Sequence, residues 1–138
     1  MINYWVVEQK KDNNVNTDIT ALVTYGNYLI AGTAGNGVLI SLDNGNSWSQ
    51  KNTNLKNLNI KALIVDITQP IIPTIFAGTA DGIFYSKNHG ENWISMNRGL
   101  TNRYITNLII NENTRQLFAG TASDGIFAGK MSLNYGNQ

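Results

Sequence analysis

The sequence predicts an all-β chain assembled from repeated four-stranded units, and three observations carry that prediction. Short apolar runs rich in Ile, Val, Phe and Tyr alternate with Gly, Asn and Asp, the residues that close turns. No stretch keeps a helical period for three turns. The same order of runs recurs three times along 138 residues at a spacing of about 41 to 46 residues, the length of one four-stranded blade of a β-propeller.

The first run of each unit is Ile19-Thr20-Ala21-Leu22-Val23, Ile60-Lys61-Ala62-Leu63-Ile64 and Ile105-Thr106-Asn107-Leu108-Ile109. The second ends in a common tripeptide: Ala31-Gly32-Thr33, Ala77-Gly78-Thr79 and Ala119-Gly120-Thr121. Small residues at that position suit strands that crowd near a propeller axis, where a missing side chain lets neighbouring blades approach. These glycines fit packing better than phosphate binding, because no glycine-rich loop opens a helix. A tight turn leads to the third run, Gly37-Val38-Leu39-Ile40-Ser41, Gly82-Ile83-Phe84-Tyr85-Ser86 and Gly125-Ile126-Phe127-Ala128-Gly129, and the fourth run carries Trp48 and Trp93.

Between the third and fourth runs lies the most specific motif. Ser41, Asp43, Gly45 and Trp48 in the first unit match Ser86, Asn88, Gly90 and Trp93 in the second, as Ser-x-Asp/Asn-x-Gly-x-x-Trp. The expected chemistry is a self-capped hairpin: hydroxyl and carboxylate or carboxamide bond loop amides, Gly supplies a positive φ, and Trp packs its ring on the sheet. The pattern resembles the Asp-box, or BNR repeat, of sialidases, sortilin-like receptors and photosystem II assembly factors. That resemblance covers nearly the whole chain and implies a propeller in which the box is a turn cap and not a catalytic group. The third copy, Gly129 to Gly136, has lost the Ser, Asp, Gly and Trp.

The termini are offset from the repeat. Tyr4-Trp5-Val6-Val7-Glu8-Gln9-Lys10 aligns with the fourth runs around Trp48 and Trp93, so the chain begins with a fourth strand and ends after a third. The expected division is an N-terminal strand in 1–17 that completes the last blade, then blades at 18–58, 59–103 and 104–138. Three blades are too few for a ring, since propellers take four to eight. Two chains that exchange their N-terminal strands would give a closed six-bladed homodimer and remove the exposed sheet edges. A piece of a longer propeller and a three-chain, nine-bladed ring are the alternatives.

Composition limits the function. Charged residues make up 14% and the net charge is +1, so no basic field favours nucleic acid or an anionic membrane. No apolar run is long enough to span a bilayer and Met1 to Trp5 lack signal-peptide character, so a soluble protein of undetermined compartment is expected. With no cysteine, thiol catalysis and zinc–thiolate sites are excluded, and neither metal nor cofactor is expected.

Sialidase-like catalysis needs three arginines drawn from different blades, as the resemblance implies. Arg98, Arg103 and Arg115 sit in one short segment, with Arg115 in a turn at the opposite end of the unit, so no catalytic residue is assigned. The sole histidine, His89, occupies a variable position of the second box and reads as a solvated turn residue. The face made by second-to-third-strand turns and inter-blade loops is the expected binding surface, with Asp18, Asn36, Lys56, Asn57, Asn59, Asp81, Arg98, Arg103, Tyr104 and Asp124 on it. Asp81, Arg98, Arg103, Tyr104 and Asp124 are the candidates, because guanidiniums, a phenol and turn carboxylates can hydrogen-bond and stack on a partner. The three tryptophans read as packing groups. Two functions remain: a scaffold that recognises a protein partner, and a lectin-like multivalent glycan binder. A glycoside hydrolase-related or engineered fragment without activity of its own is the third reading.

Overall fold

Each repeat folds into an antiparallel meander, because its apolar runs are one strand long and its Gly, Asn and Asp positions reverse the chain. The computed structural model describes residues 4–5, 8–10, 18–68 and 72–130. In the first unit β1 (Ile19–Tyr25), β2 (Tyr28–Thr33), β3 (Val38–Ser41) and β4 (Ser49–Gln50) lie in that order across one sheet. β5 (Ile60–Asp66), β6 (Thr74–Thr79), β7 (Gly82–Ser86) and β8 (Ile94–Ser95) repeat the pattern in the second unit. The third has β9 (Ile105–Asn111), β10 (Gln116–Thr121) and β11 (Gly125–Lys130), three strands among the described residues. The fourth strand predicted for it falls mostly in 1–3, 6–7 and 11–17, outside those residues, as does the degenerate third hairpin beyond residue 130. Residues 8–10 are described and form no strand. Among the described residues the three sheets do not close into a ring.

The repeat is kept in register to the residue. Ala31 pairs with Leu22 and Leu39, Ala77 with Leu63 and Phe84, and Ala119 with Leu108 and Phe127. A one-residue irregularity recurs at the same end of each first pair, between Ile19 and Ala21, between Ile60 and Ala62, and at Gly120/Thr121. A bulge there bends the strand and raises its twist, as a wedge-shaped sheet requires.

Sheets stack through their first strands, β1 against β5 and β5 against β9, and the core is divided between two seams. One cluster joins Ile30, Val38 and Leu55 of the first unit to Ile60, Leu63, Ile75, Phe84 and Trp93 of the second. The other joins Phe76 and Ile83 to Ile105, Leu108 and Leu117. The glycine of each Ala-Gly-Thr tripeptide sits where the next unit's leading isoleucine arrives: a Cβ on Gly32 would lie 2.5 Å from Ile60 Cγ2, and one on Gly78 2.6 Å from Ile105 Cγ2. Close approach is thus the reason for Gly here. Burying each isoleucine contributes roughly 1.5–3 kcal/mol.

Polar contacts latch the seams. Thr20 Oγ1 donates to the Ile60 carbonyl at 2.6 Å. Asp66, fully buried at the end of β5, meets Arg115 Nη1 at 3.1 Å and also accepts from the Thr68 amide and hydroxyl. At the equivalent place in the first seam, Tyr25 contacts His89 Nδ1 through its hydroxyl at 2.5 Å, and Tyr28 stacks on the imidazole with centroids 4.9 Å apart. His89 is therefore half-buried in an aromatic stack, a correction to its reading as a solvated turn residue. Burial, with Tyr28 beside it, pushes the Tyr25 hydroxyl up to about 12.

Candidate functional site: a polar rim

The rim is built from the turns at one end of the sheets. Threonine, the last residue of the tripeptide, caps each: Thr33 Oγ1 donates to Gly37 O at 2.8 Å, Thr79 Oγ1 to Gly82 O at 2.8 Å, and Thr121 Oγ1 to Gly125 O at 2.9 Å. The first two hydroxyls also accept from the turn amides of Asn36 and Asp81. Sequence reading assigned the whole tripeptide to packing; its threonine is a turn cap, signalled by its constant position just before the Gly-containing turn.

The loop 97–104 ties two of these turns together. Arg103 accepts the Gly82 amide through its carbonyl at 2.7 Å, which holds the loop against the Asp81 turn. One residue on, Tyr104 accepts the Ala122 amide at 3.0 Å, and Asn102 Nδ2 donates to Ala122 O at 2.8 Å and to Asp124 Oδ2 at 3.2 Å. Asp81, Arg103, Tyr104 and Asp124 are thereby brought to one rim, all exposed. Lys61 Nζ lies over the Tyr104 ring, 5.3 Å from its centroid, a cation–π contact, and Tyr104 stays 42% exposed. Arg98, exposed in the same loop, lines a cavity of about 150 Å³ between the second and third units, with Met96, Leu100, Leu117 and Phe127. A second cavity of about 290 Å³ lies at the opposite end of the first unit, beside Tyr28 and Asp43.

The two motif hairpins share one hydrogen-bond plan. Ser41 Oγ donates to Asp43 Oδ1 at 2.9 Å and accepts the Gly45 amide at 2.9 Å; Ser86 Oγ does the same with Asn88 and Gly90 at 2.9 and 2.8 Å. Asp43 Oδ1 accepts the Ser47 amide at 2.8 Å, as Asn88 Oδ1 accepts that of Asn92 at 3.0 Å. The Ser47 hydroxyl adds a bond to Asp43 Oδ2 at 2.6 Å. That bond first, then the Ser47 amide and the Ser41 hydroxyl, lowers the Asp43 carboxyl to about 2. Gly45 and Gly90 take φ of 89° and 83°. The motif serine hydroxyls and the Oδ1 atoms of Asp43 and Asn88 are all engaged within their own turns.

The tryptophans differ. Trp93 is 2% exposed and donates Nε1 to Lys51 O at 2.7 Å across the seam, whereas Trp48 is half-buried and bonds Gly45 within its own hairpin. Trp5 is 90% exposed, a departure from the packing role its alignment implied.

No catalytic constellation is assembled among the described residues. Arg115 is committed to Asp66 at the end away from the rim, so the three arginines do not converge. Among the described residues, no three His, Asp or Glu side chains group as metal ligands, and no helix is long and apolar enough to cross a membrane.

The fold has relatives among solved structures. An ancestral GH74 enzyme superposes on 88% of the chain with a TM-score of 0.70 at 19% identity, and a GH74 enzyme from Niastella koreensis on 84% with 0.59 at 18%. The extracellular domain of a hybrid two-component system from B. thetaiotaomicron covers 88% with 0.63 at 20% identity. The chain spans 16–19% of the length of these proteins. No protein-family model and no curated protein matches the chain. At such identities the likeness defines the fold alone: an all-β arrangement of the propeller type.

Proposed function

We propose that this chain is a non-enzymatic binding or assembly scaffold of the Asp-box propeller type that recognises a protein partner. The observation that carries the reading is the loop 97–104, pinned by backbone hydrogen bonds to two adjacent turns while Arg103, Tyr104, Asp81 and Asp124 stay exposed beside it. A rigid backbone presenting both signs of charge and a phenol suits a protein surface: little order is lost on binding, and aromatic and guanidinium groups are the usual anchors. The two motif hairpins use their serine hydroxyls and the Oδ1 atoms of Asp43 and Asn88 for turn capping.

A photo-crosslinking residue placed at Tyr104, with a second placed at Asn113 at the other end as control, tests this in lysate. Crosslinked proteins specific to the Tyr104 probe are purified and titrated against the wild type. Supporting the reading requires a defined partner whose affinity falls about ten-fold or more in Arg103→Glu. Binding on a glycan array that Tyr104→Ala abolishes would replace it with the lectin reading. Release of reducing sugar from a polysaccharide panel by the purified chain would make it an enzyme.

A further inference from the structure

We propose that the two open edges of the chain are the two halves of one more seam, and that a second copy of the chain closes it on both sides. This inference rests on the seams alone and is independent of what the rim binds.

Inside the chain, a seam is an isoleucine seated on a glycine: Ile60 on Gly32 and Ile105 on Gly78, with both isoleucines fully buried. One edge has the isoleucine without the glycine. Ile19 is equivalent to Ile60 and Ile105 yet is 51% exposed, and Leu22 is 65% exposed where Leu63 and Leu108 are buried. At the other edge stands the glycine without the isoleucine. Around Gly120 the nearest atoms a Cβ would meet belong to Asn107 and Thr106 of its own unit, at 3.3 Å or beyond. Ile126, equivalent to buried Val38 and Ile83, is 77% exposed there, and Ile109 is 63% exposed. Each edge thus displays what the other lacks, in the chemistry that the two built seams already use.

The N-terminal segment shows which strand the third unit lacks. Lys10 lies against the first hairpin, its Cβ and Cγ 3.1 Å from where a Cβ of Gly45 would be, and its Nζ donates to Asn46 at 3.0 Å. Lys51 stands in the same relation to the second hairpin, its Cβ 3.1 Å from the corresponding point on Gly90 and its Nζ 2.5 Å from Glu91. Lys51 directly follows β4, the outer strand of the preceding unit. Lys10 therefore occupies the place that follows the outer strand of whichever unit precedes the first.

A unit lacking that strand is the third. β11 is unpaired on its outer side among the described residues, and the cavity of about 150 Å³ beside it is lined by Met96, Leu100, Leu117 and Phe127. Their counterparts Lys51, Leu55, Ile75 and Phe84 surround Trp93 in the second unit. The cavity is thus the tryptophan slot of the third unit, and exposed Trp5 is the aromatic group available from a second copy. Two chains related by a two-fold axis satisfy both edges at once: six units close a ring, with Ile19 of each copy on Gly120 of the other.

The first test is the absolute mass of the chain in solution over a dilution series. Twice 15.2 kDa supports the proposal; a monomer at every concentration overturns it, and so does a trimer. The second test uses the absence of native cysteine. In the built seams, a Cβ on the glycine would lie 3.0 and 3.2 Å from the isoleucine Cβ, near the ~3.5–4.5 Å of a disulfide. Oxidised Ile19→Cys/Gly120→Cys should run as a covalent dimer on a denaturing gel, while Gly32→Cys/Ile60→Cys should crosslink within one chain and run as a monomer. A double variant at 19 and 120 that stays uncrosslinked, or crosslinks within one chain, overturns the two-copy ring. Ile19→Asp should give monomers.

Discussion

The second and third units are built on the same inner strands, in the same register, yet one is sealed and the other is open. Phe76, Ile83 and Phe84 of the second unit are buried, while their counterparts Phe118, Ile126 and Phe127 are half-buried or exposed. Strand identity does not account for the difference, since the paired residues are alike in size and hydrophobicity. Neighbours account for it: the second unit has a sheet on each face and an outer strand, and the third has a sheet on one face only. In a repeat fold each unit is stabilised mainly by its interfaces, so equivalent residues can differ several-fold in what they contribute.

The largest expected departure lies between the two motif tryptophans. Trp93→Ala empties a seam and should cost about 3–5 kcal/mol in urea unfolding, whereas Trp48→Ala should cost about 1 kcal/mol. Equal losses would break the claim that burial, and not the motif itself, sets the energy. Next come the glycines. Gly78→Ala drives a methyl into Ile105 and should destabilise by about 1–3 kcal/mol, while Gly120→Ala, measured in the monomeric Ile19→Asp background, first meets the movable side chains of Asn107 and Thr106 and should stay within about 0.5 kcal/mol. A large folding penalty at Gly120 would mean that its face is already filled within one chain.

The smallest effect compares the hairpins themselves. The Asp43 carboxyl is lowered from 3.8 to about 2 in the folded chain, so its contribution is present above about pH 4 and is lost as pH falls toward 2. Asn88 holds the same place in the second hairpin and does not titrate. Carboxyl NMR should therefore follow Asp43 with a midpoint near 2, and Asp43→Asn should remove that part of the acid dependence. An ordinary midpoint would show that the Ser47 bonds do not hold the turn in solution.

Much of this was legible in the chain. The repeat length, the all-β class and the two self-capped hairpins follow from local patterns, because turn chemistry and strand alternation act over a few residues. The glycine of the tripeptide was legible as a packing residue, though which isoleucine meets it was not. His89 and Arg115 were misjudged or left unassigned, since their partners Tyr25, Tyr28 and Asp66 lie 49 to 64 residues away in sequence and meet them only across a seam. Trp5 aligned with two packed tryptophans, but alignment carries no information on whether a neighbouring sheet is there to receive it.

By itself, then, the sequence determined the units: where strands begin, how each hairpin closes, and which end of each sheet carries the polar turns. Only the tertiary structure decided that the loop 97–104 bridges two turns into a single rim, that Arg98 lines a cavity between the second and third units, and that Ile19 and Gly120 have no counterparts among the described residues. The physical reason is range. Turn and strand propensities are settled by neighbours in the chain, whereas burial, seam contacts and open edges depend on which distant surfaces come together, and short-range patterns do not encode that.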